Sequence, residues 1–378
     1  MKFSVEKDVL ADAVSWGSRA IPQRPAMPIL AGMRLSAADE QLVISAFDYE
    51  TSMRAQLPVS VEEPGQALVS GRLLSDIVKS LPHGDVRFSV ESGKVRVRCG
   101  NANFVLATMS LDDYPELPQF PDVSGQIDGQ AFADAVSQVS FAASRDETLP
   151  LLTGVMVEID GANMTLMATD RYRLAMREVM WHPSEPDLKT SALIRAKVLS
   201  DVAKNSAGSG DIEIAFSNPK VSGQARIVGF EVEGRNTTST LMDGDYPPVR
   251  GLFPESTAIY TVVERDALME ATRRMRLVAE RNTSVRLAFA DGNLTMSAGA
   301  GDNVQATEQV PALIEGEDIT TAFNPGFLMD GLNALSEPYV RMSFTHPSKP
   351  VVLTGQDELE GEDVRSYRYL LMPIRYGA

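Results

Sequence analysis

Cysteine is nearly absent. Cys99 stands alone in 378 residues, which excludes an intrachain disulfide and a cysteine-rich zinc site. Histidine is scarce as well. His83, His182 and His346 each adjoin a proline in a turn or loop-like segment, and none has the His-x-x-x-His spacing that holds zinc. No glycine-rich loop ends in Gly-Lys-Ser/Thr to cradle a nucleotide phosphate. Ser217-Asn218-Pro219-Lys220 matches Ser-x-x-Lys by letters, but its Asn-Pro belongs to a turn rather than to a nucleophile's helix. Asp243-Gly244-Asp245 lacks the later glutamate of a calcium loop. No apolar run approaches the ~20 residues of a membrane span. Met1 to Lys7 passes directly into alternating, strand-like sequence instead of a signal peptide. A cytoplasmic chain without membrane, metal, cofactor or catalytic constellation is expected.

Positive charge is in short supply: 35 basic residues face 51 acidic ones, a net charge of −16. That balance argues against gripping nucleic acid over a broad surface, because phosphate affinity comes from clustered Lys and Arg. What is present is the composition of a folded protein, 44% hydrophobic and 23% charged. The length suits two or three domains.

The chain repeats itself. Leu10-Ala11-Asp12-Ala13-Val14 returns as Phe132-Ala133-Asp134-Ala135-Val136, and Ile29-Leu30-Ala31-Gly32-Met33 as Leu151-Leu152-Thr153-Gly154-Val155. Leu42-Val43-Ile44-Ser45-Ala46 returns as Met164-Thr165-Leu166-Met167-Ala168, and all three pairs keep one offset of 122 residues. A third copy follows in Leu268 to Ala271, Val285 to Leu287 and Leu294 to Ala298. Each copy then carries a second helix with Leu-x-Asp: Leu74-Ser75-Asp76, Leu199-Ser200-Asp201 and Leu328-Met329-Asp330. The first two close on Asp-Tyr-Pro, at Asp113 to Pro115 and Asp245 to Pro247. Thr51 to Leu57, Arg87 to Val97 and Ile212 to Phe216 alternate with a period of two, and Asp160-Gly161, Asp291-Gly292 and Pro82-His83-Gly84 read as turns. The expected class is α+β, antiparallel sheets with two helices on one face, three times over. The expected domains are 1–120, 128–254 and 257–378, with linkers at Leu117 to Asp128 and Arg250 to Ser256. Asp48, Asp170 and Asp302 recur after the same strand, which marks a structural turn residue.

Basic residues gather on the helical segments and beside them: Arg19 and Arg24; Arg72 and Lys79; Arg195, Lys197 and Lys204; Arg273, Arg274, Arg276 and Arg281. A solvated helix face is the ordinary meaning of such clusters. Because the helices recur in every copy, an arc of repeats would bring them to one basic side. The tail Tyr369 to Arg375 is apolar around Pro373, which cannot donate to a ladder. It reads either as a last core strand or as the lining of a groove for an extended peptide.

Taken together, these residues resemble the bacterial sliding clamps, the beta subunits of DNA polymerase III. The resemblance spans the whole chain. It rests on Met1-Lys2-Phe3 with Val5-Glu6, Arg24-Pro25 with Pro28-Ile29-Leu30, and Ala168-Thr169-Asp170 with Arg173-Leu174-Ala175. It rests further on Asp245-Tyr246-Pro247, Phe323-Asn324 with Leu332 to Leu335, and Met372-Pro373-Ile374-Arg375.

The resemblance implies three processivity-fold domains per chain and a head-to-tail homodimer closed as a six-domain ring around double-stranded DNA. It implies no catalysis. Arg24, Arg72, Arg145 and Lys197 would face DNA. A pocket for short peptides of the polymerase alpha subunit, the clamp loader, other polymerases and repair proteins would comprise Leu152, Thr169, Arg171, Tyr172, Arg173, Leu174, Pro247, Leu252, Asn324, Phe327, Pro350, Met372, Pro373, Ile374 and Arg375. Phe104 and Leu106 of one chain would meet Arg276 and Leu277 of the other. Arg171-Tyr172 departs from the Gly-His of the best-known relatives, and Gly251 from the Arg that some carry. Pro150 and Leu151 replace their DNA-contacting aromatics, so that role is not carried over. The competing readings are a hydrolase using Asp170 and His182, and a protein–protein hub that never meets DNA.

Overall fold

The computed structural model describes residues 1–217, 226–279, 284–299 and 305–374. Asp302, Arg281, Arg375 and most of the Ser217 to Lys220 motif lie outside the described residues. The chain divides into two compact units. The first gathers Met1–Gly129, His182–Glu185 and the described part of Asn205–Leu241; the second gathers Gln130–Trp181, Pro186–Lys204 and the described residues from Met242 onward. The middle repeat therefore contributes to both.

In the first unit, helices α1 (Lys7–Gly17) and α2 (Gly71–Ser80) pack together over a nine-stranded and a five-stranded antiparallel sheet. Glu6 caps α1, its carboxylate accepting from the backbone N–H groups of Asp8 and Val9 at 2.9 Å. Leu10, Val14 and Trp16 point from α1 into a core with Leu35, Ile44 and Val97. Each such side chain contributes about 1.5–3 kcal/mol by burial. The strand Thr51–Pro58 alternates as its sequence predicts, with Met53, Ala55 and Leu57 buried and Arg54 and Gln56 exposed. Strand Arg235–Thr240 of the middle repeat pairs antiparallel with it, so one sheet runs through both repeats. The alternating run Arg87 to Val97 is two strands, Asp85–Glu91 and Lys94–Cys99, joined at Ser92-Gly93, both at positive φ (49° and 73°). His182 lies in a two-residue strand, His182–Pro183, not in a loop; Pro183 is tolerated there because the strand is at the sheet edge.

The second unit carries a twelve-stranded sheet, with α5 (Arg265–Val278) against α6 (Pro325–Ala334), and most of α3 (Gly129–Ser140) and α4 (Ala196–Ser206). Strand Arg173–Met180 pairs with the final strand Asp363–Leu371, again joining two repeats through one ladder.

The repeats share a local device. Tyr114 is buried and its hydroxyl accepts from Phe47 N (2.8 Å); Tyr246, 132 residues on, accepts from Thr169 N (3.1 Å). Beside each, the recurring aspartate closes a turn: Asp48 Oδ1 accepts from Glu50 and Thr51 N–H, Asp170 Oδ1 from Tyr172 and Arg173 N–H. The structural meaning given to Asp48 and Asp170 by repetition matches this geometry.

Candidate functional site

The turn after strand Asn163–Thr169 positions the site. Thr169 Oγ1 donates to Arg173 O (2.6 Å) and accepts from Arg171 N (3.2 Å). Arg171 sits at φ 79°, in the left-handed region, where a side chain costs roughly 1–2 kcal/mol. Arg171, a non-glycine residue, is thus held against its own preference by the turn. Tyr49, at φ 72°, occupies the same place in the first repeat.

Next to this turn lies an apolar groove of about 480 Å³. The 3-10 turn Pro150–Thr153 supplies Pro150, Leu151 and Leu152; strand Arg173–Met180 supplies Leu174; the segment after Asp245 supplies Pro247, Val249 and Leu252; the C-terminal strand supplies Leu370 and, just beyond it, Met372. Thr148, Thr169, Arg171, Arg173 and Asp245 are the polar points on its wall. Both readings of the C-terminal tail hold in part. Tyr369 to Leu371 are buried strand, while Met372 is exposed and reaches the groove, tied by its N–H to Tyr172 O at 2.9 Å. An open apolar groove with few convergent polar groups suits an extended peptide with apolar anchors.

Arg173 is the buried hub beneath. It is 8% exposed, and its guanidinium donates to Asp170 (2.9 Å), Asp330 (2.6 Å) and Phe141 O (2.9 Å). It also lies 4.4 Å from the Phe327 ring centroid. Burial opposes its charge, but Tyr369, Asp330 and Asp170 outweigh that and hold its pKa above the ordinary value. Tyr172 stacks on the same Phe327 ring, with centroids 6.3 Å apart.

Of the pocket residues expected from sequence, Leu152, Thr169, Arg171, Arg173, Leu174, Pro247, Leu252 and Met372 line the groove. Tyr172 and Phe327 form the aromatic pair beside Arg173. Asn324 does a different job: its Oδ1 caps α6, accepting from Gly326 N (2.8 Å) and Phe327 N (3.3 Å). Pro350 precedes the strand Val351–Gln356, and Ile374 N–H donates to Ala322 O. Those three and Pro373 do not line the groove; Arg375 lies outside the described residues. Sequence reasoning missed Thr148, Leu149, Pro150, Leu151, Asp245, Val249 and Leu370. A 3-10 turn has no strand or helix period to mark its inward side.

The cations expected to face DNA are exposed. Arg24 and Arg72 belong to the first unit, where Arg72 donates to Pro22 O (3.1 Å). Arg145 and Lys197 belong to the second, and neither they nor Arg24 have a carboxylate partner among the described residues. In α5, by contrast, Arg274 is paired with Glu308 (2.5 Å) and Glu270 (3.5 Å).

For the chain–chain contact, Leu277 is 86% exposed and Arg276 is exposed beside it. Phe104 is half-buried. Leu106 is corrected: it is 3% exposed inside the core of the first unit, because strand Ala102–Ala107 alternates and turns Leu106 inward, leaving Val105 exposed. The Asp170 carboxylate is occupied by Arg173 and its own turn, which removes it as a hydrolytic group. No helix among the described residues is long and apolar enough to cross a membrane.

Three family models match in succession: the N-terminal domain of the DNA polymerase III beta subunit over residues 1–118, its central domain over 126–248 and its C-terminal domain over 250–375. A beta sliding clamp from Streptomyces coelicolor is 47% identical, covering 99% of both chains. The beta sliding clamp homolog GriR from Streptomyces muensis is 43% identical over the full length of both. Among solved structures, the DNA polymerase sliding clamp from Bacillus subtilis superposes with a TM-score of 0.90 at 27% identity, covering 100% of each chain.

Proposed function

This chain belongs to the DNA polymerase III beta subunit family, the bacterial beta sliding clamps, non-catalytic processivity factors of DNA polymerase III, and we propose that it works as a head-to-tail homodimer closed into a six-domain ring around duplex DNA. Each protomer supplies clamp domains at 1–120, 128–254 and 257–378. The ring acts in the cytoplasm and carries the polymerase alpha subunit, the clamp loader and other polymerases and repair proteins by short linear motifs.

This reading reconciles the −16 net charge with a DNA partner. A ring held by topology needs only weak, sequence-blind phosphate contacts, and strong ones would stop it sliding. Arg24, Arg72, Arg145 and Lys197 supply such contacts. Leu277 and Arg276 of one chain meet the Phe104–Val105 edge of the other, a heterologous contact that closes after two copies.

The observation that carries the tethering role is the apolar groove with Leu252 and Met372 exposed on its wall. A short peptide anchored there would bind with roughly micromolar affinity, about −8 kcal/mol, after ordering costs. Primer extension by the cognate polymerase with loaded clamp tests this. Leu252→Ala with Met372→Ala shortens the products to near those made without clamp, while the sedimentation of the clamp is unchanged. Full-length products with that variant would remove the groove from the tethering role.

A further inference from the structure

A second cleft, in the first unit, is built from one cross-strand row. Strand register sets Arg34 opposite Ser45, Ser45 opposite Arg54, and Arg54 opposite Asn236, across four adjacent strands. Met33 and Leu35 flank Arg34 and turn into the core, so Arg34 stands on the other face. The segment Glu116 to Phe120 passes over the row and encloses about 450 Å³ with it. Leu117 packs on Phe47, Leu68 and Tyr114 at one end. At the other, the Phe120 ring rests on Gly229, where a Cβ would come within 2.7 Å of it.

The cleft is polar and unsatisfied. Arg34 Nε, Ser45 Oγ and Asn236 Oδ1 are buried without a hydrogen-bond partner, and Ser45 is 2% exposed. Such groups cost free energy unless something completes them. Neither Arg34 nor Arg54 has a carboxylate within ion-pair distance among the described residues; Glu116, the acidic residue of the lining, is exposed.

The fold does not require this row. Its counterpart in the second repeat, 122 residues on, is Met156, Met167 and Met176, paired in the same register and packed with Leu174, Val249 and Leu370. One repeat closes the position with methionine, and the other opens it with two guanidiniums and a hydroxyl.

We propose that this cleft binds a phosphate group, either as inorganic phosphate or on a small phosphomonoester. A phosphate dianion matches two forked guanidiniums, and its oxygens accept from Arg34 Nε–H and the Ser45 hydroxyl. Asn236 Oδ1 needs a donor, which the O–H of monohydrogen phosphate or a hydroxyl of the ester's organic part supplies. The volume leaves room for that organic part.

Calorimetric titration of the intact protein with inorganic phosphate and with ribose 5-phosphate, in chloride buffer of constant ionic strength, tests the assignment. At least one probe binds. Arg34→Gln and Arg54→Gln each weaken it by about tenfold, the loss of one charge-assisted hydrogen bond, and Leu252→Ala leaves it unchanged. Equal affinity for both probes identifies the free ion as sufficient, and tighter ribose 5-phosphate identifies the ester; either supports the site. Arg54 is exposed, so Arg54→Gln carries the test even if Arg34→Gln fails to fold. Absence of binding by both probes up to about 10 mM, well beyond a millimolar Kd, or undiminished affinity in Arg54→Gln, overturns the proposal.

Discussion

Arg173 and Asp330, 157 residues apart in sequence, meet at 2.6 Å. The contact ties the turn that shapes the groove to α6 of the next repeat. With Asp170 on the same guanidinium, it fixes the groove wall against the third repeat's helix.

Removing that side chain takes the guanidinium donor from Asp170, Asp330 and the Phe141 carbonyl, while Asp170 keeps the backbone N–H groups of its turn. Arg173→Ala should destabilise the protein by about 3 kcal/mol or more, the cost of breaking a buried pair. Asp330→Asn should cost about 1 kcal/mol, since Asp330 is half exposed and its amide still accepts a hydrogen bond. Chemical unfolding midpoints check both. Equal, small effects would deny Arg173 its role as the hub.

Leu277 is 86% exposed and so packs little against the described residues of its own chain. Leu277→Asp should split the dimer into monomers in sedimentation without lowering the melting temperature of the protomer, because no core contact is lost. An undisturbed dimer would move the chain–chain contact elsewhere.

Alkaline stability follows from two tyrosines. Burial pushes Tyr114 and Tyr246 up to about 12, from a usual 10. The folded state therefore favours the neutral phenol. This contribution is full below pH 10 and is lost as pH rises through about 12. Melting temperature should hold steady up to about pH 10 and fall beyond it. Tyr114→Phe with Tyr246→Phe should make that fall shallower, at a cost of about 1 kcal/mol per lost hydroxyl near neutrality. A decline of unchanged steepness in the double variant would contradict the assignment.

Much of the architecture was legible because the first two repeats keep one offset of 122 residues on a helix, a strand entry and a second strand, and both close on Asp-Tyr-Pro. Eight groove residues were legible through motif resemblance. What escaped had no local signature. Nothing along the chain says that Arg173 will find a carboxylate 157 residues away. The lining Pro150 and Leu151 sit in a 3-10 turn without apolar period. Leu106 was carried over by resemblance, and resemblance does not report burial: it is 3% exposed in the core of the first unit. The row Arg34–Ser45–Arg54 became visible only once the strand register put the three side by side.

The central claim is encirclement, and the direct measurement is retention on DNA. Clamp loaded onto nicked circular plasmid should stay bound through gel filtration and leave when the same plasmid is linearised. Arg24→Ala with Lys197→Ala should slow loading yet leave retention on circles intact, because closure rather than phosphate contact does the holding. Equal retention on circular and linear plasmid, or rapid loss of the variant from closed circles, would contradict the account.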